Sequence, residues 1–334
     1  SISAGTEAAM LAIELGVDLV TVNAECDATL GAIIYQMASE RGIRYSVCDG
    51  DQPGVLARML HELAFKGFEP RIIGTCKEYF DPYQTPEGVT PFIPPGQNPN
   101  KICSFTDGSK QSLELTVVAN SFGYFPLIRG MHGPSTSKAD IIDAYGKLVD
   151  LHGLRGGYID FTRGSTSPNE GGPVFVIAYH DDAEARHTLK VLKKGSGPFY
   201  LFFRDHHLCH LESCSTIAEV ALFGHPSLCP VGRYVDTIAV AKRDLPRGKR
   251  LDGIGGFDCY GVVERADVAA ENGLLPIGLA EFAFTLHDVP KDQPVLRDWV
   301  VLDENLPVQL RRVQDQLPIA IRAARLAAGL GGVE

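Results

Sequence analysis

The stretch VDLVTVNAECDATLGAIIYQMASERGIRYSVCDGDQPG, residues 17–54, decides the fold. Residues 18–22 are rich in β-branched side chains and read as a short strand. Residues 29–41 read as a helix that Gly42 closes, and 44–48 as a second strand. Pro53 opens a further helix over 53–65, because a first turn does not need the N–H that proline lacks, and Gly67 ends it. Upstream, 6–15 reads as a helix closed by Gly16; downstream, 71–75 reads as another strand. Strands alternating with helices of this length predict βαβ units and a parallel sheet, hence an α/β fold.

Ligands of such sheets gather at the carboxyl ends of the strands. Two loops fall there, Asn23-Ala24-Glu25 and Asp49-Gly50-Asp51-Gln52-Pro53-Gly54. The second runs from strand through tight turn to helix N-terminus, where free N–H groups and the helix dipole suit a polar or anionic ligand group. Two aspartates in it speak against a bare phosphate, and the same residues also make an ordinary turn with an Asp cap. No GxGxxG follows any strand; the glycines at 253–256 come too late in the chain. The segment therefore reads as the back half of a Rossmann-type sheet, its phosphate loop outside the sequence. By itself it is expected to bind a dinucleotide poorly.

A length of 334 residues leaves room for two or three domains. A formal charge of −10 with no Lys/Arg stripe argues against a nucleic-acid partner. No apolar run reaches the 18 residues of a spanning helix, so no membrane role is expected. The eight cysteines form no CxxC pair, which disfavours structural zinc and suits a reducing cytoplasm.

Residues 101–120, KICSFTDGSKQSLELTVVAN, read as a helix that Thr106 and Asp107 can cap. At about 100° per residue Asp107, Lys110 and Glu114 share one stripe, and apolar residues fill most of the remaining circumference. Such a helix is usually buried, so its charges must face partner charges or a wet cleft. The alternative is a solvated Lys110–Glu114 pair worth roughly 0.3–0.5 kcal/mol. Lys77, just past a strand, can reach a substrate oxygen or pair with Glu78 or Asp81. Residues 77–100 read as a long ordered loop, 139–151 and 215–223 as helices, and 174–179 and 199–203 as strands. After the last strand comes the polar knot Arg204–Glu212. Arg204 and His207 there could hold an anion, His207 and His210 could join Glu212 or Asp205 on a metal, or the whole could be structural. From about residue 235 a turn-rich β module follows, with a strand at 237–241, and 308–330 reads as a closing helix.

No GxSxG elbow and no recognisable nucleophilic cysteine occur. That leaves acid–base residues acting on a bound cofactor. Hydride transfer to a carbonyl needs a group that protonates the nascent alkoxide and stabilises its charge, and a desolvated lysine beside an acid supplies both. Lys77, Lys110 and Glu114 suit those roles.

The series VTVNAE, GDQPG, SFTDGSK, GPFYLFFRDHHLCHLE, VAKRDLPRGKRLDGIGG and LLPIGLAE resembles a family of homoserine-dehydrogenase-like NAD(P)-dependent oxidoreductases over nearly all of residues 1–315. The resemblance implies part of a Rossmann domain at 1–76, an α/β catalytic domain at 77–230, a SAF-type β module at 231–305 and a C-terminal helix at 306–334. It also implies NADP or NAD, with Asn23, Glu25, Gly50, Asp51, Gln52 and Pro53 on the cofactor side. Within the family the chain resembles the 1-deoxy-D-xylulose 5-phosphate reductoisomerase-like type, which would act in isoprenoid precursor synthesis. More distant relatives have Asn-Lys in the first loop; here Ala24 follows Asn23, so the catalytic lysine must come from elsewhere, with Lys110 and Lys77 the candidates. Lys110 is expected to be the general acid/base, tuned by Glu114 and Asp107. Arg204, His206, His207 and Lys101 would hold the anionic end of a small substrate. No acidic metal triad is recognisable, which assigns no metal ligand and leaves a divalent ion open. A homo-oligomer in the cytoplasm is expected. Asp107, Lys110 and Glu114 should face the Arg204–Glu212 knot across one pocket. The competing readings are a dehydrogenase of a small hydroxy acid and a non-catalytic sensor or assembly protein on the same scaffold.

Overall fold

A computed structural model describes residues 1–93, 95–167 and 170–319. The first helix, α1 (Ile2–Leu15), is capped by the Ser1 hydroxyl and stopped by Gly16 in the left-handed region, φ 69°. β1 (Leu19–Thr21) then enters α2 (Ala24–Glu40), which starts five residues earlier than the periodicity suggests. The reason is local: Asn23 Oδ1 accepts the Cys26 N–H and caps the helix there. β2 (Tyr45–Val47) pairs with β1 in parallel, Leu19 opposite Tyr45, and leads into α3 (Gln52–Phe65) with Pro53 in its first turn.

β3 (Glu69–Lys77) is the strand expected at 71–75, but it does not join β1 and β2. It forms the middle of a five-stranded mixed sheet. The expected loop at 77–100 holds the short helix α4 (Pro86–Val89) and the start of α5 (Pro99–Thr106). Next come α6 (Ser109–Phe122), β4 (Phe125–Pro126), α7 (Ile141–Leu148), β5 (Tyr158–Arg163), β6 (Val174–Tyr179), α8 (Ala183–Val191) and β7 (Phe199–Arg204). The sheet order is β4-β5-β3-β6-β7, parallel across β4, β5 and β3 and antiparallel onward. Its inner strands are buried on both faces. α3 and α6 cover one face, where Leu56, Leu60, Leu115 and Val118 pack on Ile73 and Val176. α7 covers the other, with Ile141 and Tyr145 against Ile72 and Phe175.

α9 (Cys209–Phe223) begins inside the polar knot, so Cys209–Glu212 is its first turn and not a loop. β8 (Val235–Ala241) and β9 (Cys259–Arg265) then make an antiparallel pair, followed by α10 (Ala266–Glu271). A second antiparallel pair, β10 (Ala283–Thr285) with β11 (Val300–Leu302), completes the small β region. The closing helix is α11 (Leu306–Gln314); the part of the expected helix beyond residue 319 lies outside the described residues. No helix among the described residues is long and apolar enough to cross a membrane.

α6 is shared by the N-terminal helices, the five-stranded sheet and the C-terminal strands. Leu113 and Val117 pack with Ala28 of α2 and Ala239 of β8, while Leu115 and Val118 face the five-stranded sheet. Thr116 Oγ1 lies 2.8 Å from Thr237 Oγ1, and Asn120 bonds the backbone of Tyr234 and Val235.

A buried arginine fastens α11 to the rest. Arg311 donates two bonds to Asp236, at 2.8 and 2.7 Å, one to Asp315 and one to the Thr29 carbonyl in α2. Removing one partner of a buried pair strands the other charge. Arg311→Met should therefore cost about 3–5 kcal/mol in urea unfolding, whereas Arg312→Met, which loses only the exposed pair with Glu304, should leave the midpoint unchanged.

Candidate active site

Four elements bring their charges to one place. Lys77 ends β3, Glu25 stands in the first turn of α2, Asp51 is the N-cap position of α3, and Lys110 and Glu114 lie one turn apart on α6. Lys110 Nζ lies 3.0 Å from Glu25 Oε1 and 3.9 Å from Glu114 Oε1. Glu114 is buried, and its Oε2 has no hydrogen-bond partner among the described residues. The Lys77 ammonium is also buried and forms no ion pair among them. Gln52 donates a long 3.4 Å bond to the Gly172 carbonyl while its Oε1 has no partner among the described residues. Two ammonium groups and three carboxylates thus share a largely dry space.

Burial sets the protonation of this cluster, and the charges correct it. Burial pushes the Glu114 carboxyl up to about 7; Lys110 and Lys77 oppose that rise, while Asp51 and Glu25 add to it. Burial would also lower the Lys110 ammonium, yet Glu114, Glu25 and Asp51 together hold it above the ordinary lysine range. Lys77 differs. Burial lowers it, Glu114 offsets this only in part, and the like charge of Lys110 adds to the fall. The two lysines are pulled in opposite directions, the separation that divides acid–base roles.

Asp107 does not belong to this cluster, contrary to the shared stripe expected from the sequence. Its Oδ2 lies 2.8 Å from Lys242 Nζ, and its Oδ1 accepts the Ser109 N–H at 2.8 Å. The cause is Gly108, at φ 85°, which breaks the helical count between Asp107 and Lys110. Lys242 is the residue that sequence reasoning missed, its one signal being a place in the VAKRDLPRGKRLDGIGG stretch.

The GDQPG loop and the 204–212 knot do meet. A Cβ on Gly50 would fall 2.7 Å from Glu212 Cβ and 3.0 Å from Cys209 Cα, so the loop is closed over by the start of α9. The charged cluster reaches the same place: burial and then Asp51 raise the Cys209 thiol to about 11, with Lys110 and Glu114 also acting on it. Arg204, His206 and His207, however, are already committed. Arg204 pairs with Glu212, whose other oxygen accepts the Leu208 N–H. His207 Nδ1 lies 2.9 Å from the Gly172 carbonyl, and His206 pairs with Asp205. Lys101 is exposed on α5. The expected anion clamp of Arg204, His206, His207 and Lys101 is therefore not assembled. Asn23 serves as a cap, its Nδ2 donating to the Ser1 carbonyl, while Asp51, Gln52 and Pro53 are buried. Among the described residues no three His, Cys, Asp or Glu side chains converge as a metal site.

Residues 50–213 match the family model described as "Oxidoreductase DRL, catalytic domain". No curated protein matches the chain. The chain carries an oxidoreductase catalytic domain, and the matched stretch contains Lys77, Lys110, Glu114 and the knot, while Glu25 lies before it.

The pH dependence follows with a definite sign. The folded Glu114 carboxyl lies above its ordinary 4.5, so between pH 4.5 and 7 the native state holds a proton that the unfolded chain has released. Its contribution to stability is present at low pH and lost as pH rises through about 7. Carboxyl ¹³C titration of Glu114 should show a midpoint near 7, and a midpoint near 4.5 would contradict the burial argument.

Proposed function

We propose that this chain is the catalytic part of an NAD(P)-dependent oxidoreductase of the reductoisomerase-like type, acting on a small polar hydroxy-carbonyl compound. One observation carries this reading: a buried lysine, Lys77, depressed by burial and within the field of Glu114, whose Oε2 has no partner among the described residues and whose Oε1 lies beside a second, charged lysine. The oxidoreductase match over residues 50–213 supports the reaction class.

The donor set is compatible with a nicotinamide nucleoside. Glu114 Oε2 and Gln52 Oε1 are orphaned acceptors that would take hydroxyl or amide N–H donors, and the excess of carboxylates disfavours a pyrophosphate at this spot. Glu25, Asp51 and Gln52 are the side chains that would border it. When bound, a reduced nicotinamide supplies the hydride that the carbonyl carbon accepts.

The chain's own residues handle the proton. As charge develops on the carbonyl oxygen, Lys77 gives it a proton from Nζ and becomes neutral; its lowered pKa makes that transfer easier than from an ordinary lysine. Lys110 keeps its proton and stabilises the oxyanion by Coulomb attraction. Glu114, protonated below about pH 7, can return a proton to Lys77. This gives Lys77 the donor role and Lys110 the electrostatic one, with Glu25 holding Lys110 in place.

The test uses the full-length protein with NADPH, 1-deoxy-D-xylulose 5-phosphate and a panel of small hydroxy acids. Lys77→Met should retain the fold, since it removes an unpaired buried charge, and should lower turnover by roughly 10²–10⁴-fold. Turnover within a few-fold of the parent would overturn the assignment. Product identity separates rearrangement of the carbon skeleton from simple reduction.

A further inference from the structure

The opposite flank of α6 borders a cavity that none of the charged-cluster side chains line. It has a volume of about 360 Å³ and lies between the first turns of α6, the loop after β3, β5 and the β8–β9 pair. Phe80, Phe161, Tyr260 and Val262 supply its apolar wall, with the Phe80 and Phe161 rings in tilted contact at 5.2 Å between centroids, and Arg129, paired with Glu264, stands among its polar lining. Gly261 lets α6 pack closely on the strand pair here, since a Cβ would fall 2.8 Å from Thr237 Cγ2 and 3.2 Å from Ser109 Cα. Gly130, at φ 77°, lines it too and is held by donating to the Val263 carbonyl.

One polar group in this wall is left over. Gln111 is 1% exposed, lines the cavity, and its Oε1 has no hydrogen-bond partner among the described residues. An orphaned buried amide oxygen costs about 1–3 kcal/mol. Ser112 beside it bonds the Gly261 carbonyl and Asp107 is held by Lys242, so neither neighbour relieves it. At the mouth, Asp292 adopts φ 67°, a left-handed backbone rare for a residue with a side chain. Its Oδ1 accepts the Tyr83 hydroxyl at 2.8 Å, and its N–H bonds the Ala241 carbonyl. Backbone strain of this kind collects at functional sites.

We infer that this cavity is a binding site for a small, flat heteroaromatic molecule with an N–H edge. The contacting Phe80 and Phe161 rings would form one wall against the ligand ring and Tyr260 and Val262 would border it, Gln111 Oε1 would accept its inner N–H, and the Asp292 carboxylate would offer a second acceptor at the mouth. The volume is at the lower end for small-molecule pockets, which limits the ligand to about two fused rings. The site needs neither a dinucleotide nor the Lys77 cluster, so its test is independent of the proposed reaction.

Benzimidazole and 7-azaindole are the probes, titrated into full-length protein and followed by ligand-observed NMR and calorimetry, with cyclohexylamine as a non-planar control. Binding with a Kd near or below about 1 mM is expected for the flat pair and not for the control. Gln111→Leu should weaken it at least about tenfold, the loss of one buried hydrogen bond, and Val262→Trp should abolish it by filling the cavity. Circular dichroism confirms that each variant is folded. Absence of binding by both probes at about 5 mM, or wild-type affinity in both folded variants, overturns the proposal.

Discussion

A helix buried on every side must find a partner for each charge it carries, and α6 is such a helix. An isolated ion in its place would cost several kcal/mol, so partners have to come from other parts of the chain. Lys110 takes Glu25 from α2 and Glu114 from its own next turn. Glu114 draws Lys77 from the end of β3 into its field. Just before the helix, Asp107 takes Lys242 from the β region, whose ammonium also bonds the carbonyls of Gln84 and Gly256. These pairings fix the start of α6 relative to the N-terminal βαβ unit, the five-stranded sheet and the C-terminal strands. The same constraint that orders the fold concentrates titratable groups at one point.

How much of this the sequence discloses depends on the range of the interaction. The unit β1-α2-β2 is legible because its strands and helix are set by local pattern and by glycines that stop helices. The destination of β3 is not. Its pairing partners in β5 and β6 lie 86 to 110 residues further on, and a run such as Arg-Ile-Ile-Gly-Thr looks the same in either sheet. Lys110 and Glu114 are legible as a pair through their four-residue spacing, whereas Asp107 is misplaced by one left-handed glycine at 108. The knot at 204–212 is rich in functional side chains, but Arg204 and Glu212 satisfy each other across eight residues, a closure that composition does not reveal.

The geometry also reorders the two lysines. From sequence, Lys110 is the natural acid because an acid follows it one turn later. In the folded chain it is surrounded by carboxylates, which hold its proton tightly and suit it to steady charge stabilisation. Lys77 has burial against it and no ion-pair partner of its own among the described residues, so its proton is the more readily given. In the proposed mechanism the division of labour thus rests on the number of carboxylates near each ammonium and not on the residue types.

The most direct test is the titration of the Lys77 ammonium itself, followed by ¹³Cε–¹⁵Nζ correlation NMR in the full-length protein with a Lys77→Met control for assignment. The account predicts a midpoint below the ordinary lysine value of 10.5, falling further in Glu114→Gln, where the one attractive carboxyl is lost. A midpoint at or above 10.5, unchanged by that substitution, would contradict it.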